Sequence, residues 1–153
     1  MIIMKVTMLS NSKGGVFTIT MLWAKELVRK GCDVNIFFLM RSKNARHLIS
    51  SGHFRFYYFT TFLFLPDPRA FINFLIHDHP DVIHINFAWL GPLAILKKYL
   101  FKTPFIYTLH GLPQPWLEPS LLYKIAYTVE QRLLPFVASR SSANVGVSNY
   151  VRD

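Results

Sequence analysis

His110 and Gly111 follow directly on the apolar run at residues 104–109. In an open α/β sheet, ligands bind just outside the carboxyl ends of the strands. His110 therefore stands where such a sheet keeps a working side chain. An imidazole there exchanges protons or hydrogen bonds near neutral pH. A second polar turn, Ser10-Asn11-Ser12-Lys13-Gly14-Gly15, follows the first apolar run in the same way. Its glycines admit close backbone approach, and the helix start behind them offers free N–H groups to an anion or a hydroxyl. The turn lacks the Gly-x-Gly-x-x-Gly spacing of a dinucleotide loop, and its lysine precedes the glycines, unlike that of a Walker loop. A tight structural turn and a binding loop fit it equally well.

The other candidates are weaker. His47 and His53 fall in a basic region and read as solvated, and His77 and His79 flank a turn. His84 lies inside a strand and reads as a satisfied core histidine. None pairs with cysteine or carboxylates at metal-ligand spacing, so neither a metal nor a cofactor is expected. The sequence offers no Ser-His-Asp set and no paired carboxylates suited to hydrolysis.

These residues need elements to position them, and the pattern alternates strand and helix. Strands are expected at 4–9, 33–39, 54–59, 82–85, 104–109 and 144–147. Helices are expected at 16–30, 41–51, 68–77, 87–100 and 120–134. In the first helix Ile19, Leu22, Trp23 and Leu27 are expected to face inward. In the last, Leu121, Leu122, Ile125, Val129 and Leu133 are, with Pro135 ending or kinking it. Strands joined by helices imply right-handed crossovers. The expected fold is α/β: one Rossmann-like domain, 1–153, with a doubly wound sheet of about six mainly parallel strands.

Composition agrees with one domain: 153 residues, of which 52% are hydrophobic. Apolar stretches fall short of the roughly 18–20 residues of a membrane helix. The single cysteine, Cys32, excludes an internal disulfide and fits a reducing compartment, so a cytoplasmic location is expected. The net charge of +9 is uneven, with 8 basic and 2 acidic residues in 1–51. Such a patch attracts anions. The aromatic stretch at 53–65 beside it suits an anionic membrane surface, which is expected as a peripheral partner. Nucleic acid is not expected, because no recognisable binding motif accompanies the charge. Ser148-Asn149 looks like the cap of a further helix. The expectation is the front half of a longer protein, with self-association through the uncovered face.

Four blocks carry a resemblance. They are Gly14-Gly15-Val16 with Leu22–Leu27 and Gly31-Cys32-Asp33-Val34; Pro80-Asp81-Val82-Ile83-His84-Ile85-Asn86; Thr108-Leu109-His110-Gly111; and Ala143-Asn144-Val145-Gly146-Val147-Ser148-Asn149. In order and spacing this set resembles the N-terminal domain of the family 4 glycosyltransferases, which have the GT-B fold. The resemblance implies two Rossmann-like domains facing a cleft. The N-terminal one mostly binds a sugar or lipid-linked acceptor. The C-terminal one binds the nucleotide-sugar donor and carries a Glu-x7-Glu motif. It implies retaining glycosyl transfer, with His110 as the catalytic-site residue beside the transferred sugar. Gly14 and Gly15 would line the cleft near the donor phosphates, and Ser148 would border it. Lys13, Asn86 and Gly111 are taken as further substrate contacts. The sequence departs from the family pattern at Phe17, at Cys32 and at Asn86, which replaces the second histidine of His-x-His. It holds no Glu-x7-Glu pair, since Glu118 and Glu130 lie 12 apart, so the chain alone is expected to be inactive. The alternative is a non-catalytic Rossmann-like module for an anionic or lipid-linked ligand.

Overall fold

Continuous apolar runs suit strands that are covered on both faces, and such runs form one six-stranded, all-parallel sheet. Its strands are β1 (Lys5–Ser10), β2 (Asp33–Phe38), β3 (Arg55–Tyr58), β4 (Val82–Ile85), β5 (Phe105–Leu109) and β6 (Ala143–Gly146). They lie in the order β3-β2-β1-β4-β5-β6. The direction of winding reverses between β1 and β4, which makes their carboxyl ends the switch point of the sheet. The computed structural model describes residues 3–11, 14–39, 54–59, 67–86, 88–111, 116 and 119–146. The expected helix at 41–51 and most of the aromatic stretch at 53–65 lie outside the described residues.

Helices cover both faces. On one, α1 (Gly14–Arg29) packs against Val6, Met8, Val34, Ile36 and Phe38. On the other lie α2 (Pro68–Ile72), α3 (Gly91–Phe101) and α4 (Leu121–Ala138). Their core includes Leu9, Phe37, Phe74, Ile83, Ile85, Phe105 and Val137. Asp67 caps α2 by accepting from the Arg69 and Ala70 N–H groups at 3.1 and 3.2 Å, and Pro68 sits in its first turn. The helix expected over 68–77 widens after Ile72 into a π turn, Asn73–His77. That widening is closed by the Asp78 N–H, which donates to the Asn73 carbonyl at 2.6 Å. Asp78 is buried, and its carboxylate accepts from Thr7 Oγ1 at 2.6 Å and Asn35 Nδ2 at 2.8 Å, with Lys5 Nζ at 2.8 Å. The buried Lys97 ammonium donates to its carbonyl. One aspartate thus ties β1, β2 and α3 together at the amino end of the sheet, away from the switch point.

Two expected helix faces are corrected. In α1 the buried residues are Thr20, Met21 and Ala24, whereas Leu22 is 59% exposed. In α4, Leu121 and Ile125 are 73% and 54% exposed, and Val129 is exposed as well. The inward face runs through Ala126, Glu130, Leu133, Leu134 and Val137. A carboxylate at 130 hides this face from a hydrophobic reading, because charge counts against burial unless a partner is known. Nor does Pro135 end the helix, which runs on to Ala138. The last turn is held by Val137, fully buried in the core beside Gly91.

Gly91 opens α3, and a Cβ there would lie 2.2 Å from Val137 Cγ2. The β-branched valine has little freedom to move aside. Gly91→Ala is expected to destabilise the chain by about 1–3 kcal/mol. Urea unfolding of G91A, V137A and the double variant checks this, with the double variant recovering part of the G91A loss.

Candidate functional site

The ladder between β4 and β5 pairs Ile83 with Phe105, His84 with Ile106 and Ile85 with Tyr107. This register brings two polar pairs together across the strands, each 24 residues apart in sequence. His84 Nε2 lies 2.7 Å from Thr108 Oγ1. One step nearer the carboxyl ends, His110 Nε2 lies 2.9 Å from Asn86 Oδ1. The Asn86 backbone is itself fixed, since its N–H donates to the Leu9 carbonyl of β1 at 2.9 Å. Trp23 of α1 covers both imidazoles. Its ring stacks on His84 at 4.9 Å and lies tilted against His110 at 6.1 Å.

Burial decides the charge of these rings. Desolvation, with the His110 charge nearby, pushes the His84 imidazole down to about 4. Desolvation also lowers His110. Both are neutral at neutral pH. With Asn86 Oδ1 as acceptor, His110 donates from Nε2, and its Nδ1 keeps a free lone pair. His110 Nδ1 and Asn86 Nδ2 are both buried without a hydrogen-bond partner among the described residues. One acceptor and one donor are therefore left unsatisfied near the switch point. Such groups cost free energy until something bonds to them.

The glycine turn stands two strands away along the same edge, about 10 Å at ordinary strand spacing, with β4 between. Gly14 adopts φ +70°, a left-handed backbone that favours glycine. A Cβ at Gly15 would meet nothing within 4 Å, so packing within the protein does not require glycine there. The start of α1 is fixed to β1 by Ser10 Oγ and Thr20 Oγ1, 2.7 Å apart, with Thr20 donating to the Val16 carbonyl at 2.7 Å. No acidic side chain occupies the first turn of α1, so its unpaired N–H groups favour an anion. Gly111 is exposed beside His110. Lys13 and Ser148 lie outside the described residues. The structure thus joins Asn86 to His110, and sets Gly14, Gly15 and Gly111 on the same rim.

Beside the imidazoles the sheet face is open. Trp23, Leu27, His84, Ile106, Thr108 and Val145 line an apolar groove of about 310 Å³. Sequence reading did not give Trp23 or Thr108 a place at the site. Trp23 reads as core by helical spacing. The even spacing of His84, Asn86, Thr108 and His110 along two strands is the signal that they share one face. No helix among the described residues is long and apolar enough to cross a membrane. Among the same residues, no three His, Cys, Asp or Glu side chains gather as a metal site.

Polar groups of this Rossmann-like domain converge at the switch point, the place where α/β sheets bind ligands, and similarity to known proteins narrows the class. The sequence over residues 13–153 matches the model of Glycosyltransferase Family 4. The chain belongs to this glycosyltransferase family. No match is found among curated protein sequences. Among solved structures, the chain is similar to Anabaena Alr3699/HepE in complex with UDP and glucose. There the TM-score is 0.65 and the identity 15%, over 92% of this chain and 37% of the other. It is also similar to LpCGTa in complex with UDP, at a TM-score of 0.63 and 15% identity, over 96% of this chain and 46% of the other. Arabidopsis thaliana UGT89C1 complexed with quercetin gives 0.60 and 15%, over 95% and 44%. The chain spans less than half the length of each. At this identity the likeness concerns the fold, which is of the GT-B type.

The depressed His84 pKa carries a stability consequence. Falling pH protonates the unfolded imidazole near 6.5 and the folded one near 4. Stability is therefore full above about pH 6.5 and declines by about 3 kcal/mol down to about pH 4. Denaturant midpoints across this range, with an NMR titration of the His84 ring, test this. A His84 midpoint near 6.5 contradicts it.

Proposed function

We propose that this chain is the acceptor-binding half of a retaining glycosyltransferase, working opposite a second domain that holds most of the nucleotide-sugar donor. The observation that carries the reading is the unsatisfied pair, His110 Nδ1 and Asn86 Nδ2. Sugar hydroxyls satisfy such groups, one donating its O–H to the imidazole nitrogen and another accepting from the amide. A neutral imidazole is the form that accepts, and burial keeps His110 neutral. Along the rim, the Gly14-Gly15 turn and the start of α1 suit the phosphates of the donor. As the bond between the anomeric carbon and the diphosphate breaks, negative charge grows on the leaving oxygen. Backbone N–H groups already aimed at that edge stabilise it without reorganising. The open space at Gly15 lets the phosphates approach the backbone.

The apolar groove beside Trp23 favours an acceptor with a hydrophobic part, such as a lipid-linked one. Family membership and the fold shared with proteins solved with UDP support the donor class.

Two outcomes are expected. The 153-residue chain alone, incubated with UDP-glucose and sugar acceptors, shows no transfer. Turnover by the purified chain overturns the assignment to a half-site. In the longer protein that contains this domain, His110→Ala strands the Asn86 amide and lowers kcat/KM by roughly 5- to 150-fold, equivalent to about 1–3 kcal/mol. An unchanged kcat/KM removes His110 from the site.

A further inference from the structure

The outer surfaces of α3 and α4 are apolar where a surface helix ordinarily presents charge. On α3, Leu96 and Leu100 lie one turn apart with Tyr99 beside them, and Tyr99 and Leu100 are 70% and 60% exposed. On α4, the exposed Leu121, Ile125 and Val129 fall at i, i+4 and i+8, and Phe136 continues the stripe two turns on. The opposite sides of the same helices, through Ala94, Ile95 and Val137, pack into the core beneath. Both stripes therefore look away from the sheet on the same flank. The helices lie side by side, since Val137 packs on Gly91 and Lys98 Nζ donates to the Arg140 carbonyl at 2.7 Å. Exposed apolar surface gathered in this way marks a contact with something else.

The charges indicate the partner. Residues 88–146 hold six lysines and arginines but two acids, Glu118 and Glu130. Glu130 is turned inward and buried, and Glu118 lies outside the described residues. Neither helix has an exposed acidic side chain, whereas Lys102, Lys124 and Arg132 are exposed. The Arg140 guanidinium lies 3.9 Å from the centre of the Phe136 ring, so cation and aromatic occupy one spot. Apolar side chains rimmed by lysine and arginine suit the headgroup layer of an anionic bilayer. A second copy of this chain fits poorly, because a twofold contact sets the same cations against each other. The proposed second domain faces the carboxyl edge of the sheet and not this flank.

We propose that the joint outer face of α3 and α4 docks on an anionic lipid bilayer. Leu96, Leu100, Leu121 and Ile125 enter the boundary between headgroups and acyl chains, and Lys124 and Arg132 meet the anionic headgroups. The proposal is independent of sugar transfer, and its test requires neither donor nor acceptor.

The test is co-sedimentation of the full chain with vesicles of mixed phosphatidylglycerol and phosphatidylcholine, and with phosphatidylcholine alone, at rising salt. Binding is expected to the mixed vesicles and not to the neutral ones. The double variant Lys124→Gln/Arg132→Gln is expected to bind about 25-fold more weakly, at about fivefold for each basic side chain at the surface. Lys25→Gln/Lys30→Gln removes the same charge on the side of α1, across the sheet, and is expected to change binding by less than about threefold. Leu121→Ser/Ile125→Ser keeps the charge and is expected to lose the binding that survives high salt. All six side chains are exposed, so the fold is kept, and circular dichroism checks it. Equal losses in the two glutamine pairs overturn the proposal, because net charge alone then brings the chain to the vesicle. So does a failure to bind mixed vesicles at low salt, or a serine pair that binds like the wild type at every salt. A dimer that the serine pair dissolves, without vesicle binding, gives the face to a second copy instead. If the serine pair does not fold, the two glutamine pairs still decide.

Discussion

The register of β4 on β5 is the constraint on which the site depends. Parallel strands exchange evenly spaced hydrogen bonds, and a slip of one residue would turn every side chain to the opposite face. With His84 opposite Ile106, one offset produces both polar contacts, His84 to Thr108 and Asn86 to His110. The apolar residues between them, Ile83, Ile85, Phe105 and Tyr107, point into the other core and hold the register by their burial. The polar face is thus fixed by the apolar one. Trp23 then closes over both imidazoles and links α1, with its glycine turn, to the same pair of strands.

Two kinds of buried polar group follow from this arrangement, and they differ in what satisfies them. At the amino end of the sheet, Asp78 meets Thr7, Asn35, Lys5 and Lys97, and the cluster braces the fold. At the carboxyl end, His110 and Asn86 spend one bond on each other and keep one atom each unpaired. The amino-end cluster also leaves Asn35 Oδ1 unpaired, but only the unpaired atoms of His110 and Asn86 lie at the switch point, where ligands bind in such sheets. Keeping both histidines neutral serves the same end, since a charged imidazole has no lone pair to offer.

The strands were readable because continuous apolar runs and turn residues bound them tightly, and Val82–Ile85 is placed to the residue. Asn86 and His110 were readable as rim residues because each directly follows a strand. Their mutual bond was not, since it depends on the β4–β5 offset, and no single sequence carries a register. The inward face of α4 was misread for a related reason. Glu130 looks solvent-facing until its helix packs on the turn Ala88–Leu90, remote in sequence, and buries it. The same distance effect hid the fit of Val137 on Gly91, which lets the helix pass Pro135. In each case the pattern along the chain was legible, and the contact that overrode it was remote.

The central claim is that the unpaired atoms of His110 and Asn86 receive ligand hydroxyls. A crystal structure of this domain together with its proposed second domain, with nucleotide sugar and acceptor bound, tests it most directly. The account predicts one sugar hydroxyl within about 3 Å of His110 Nδ1 and another within about 3 Å of Asn86 Nδ2. A bound sugar that leaves both atoms untouched, or a His110 Nδ1 bonded only to protein, would contradict it.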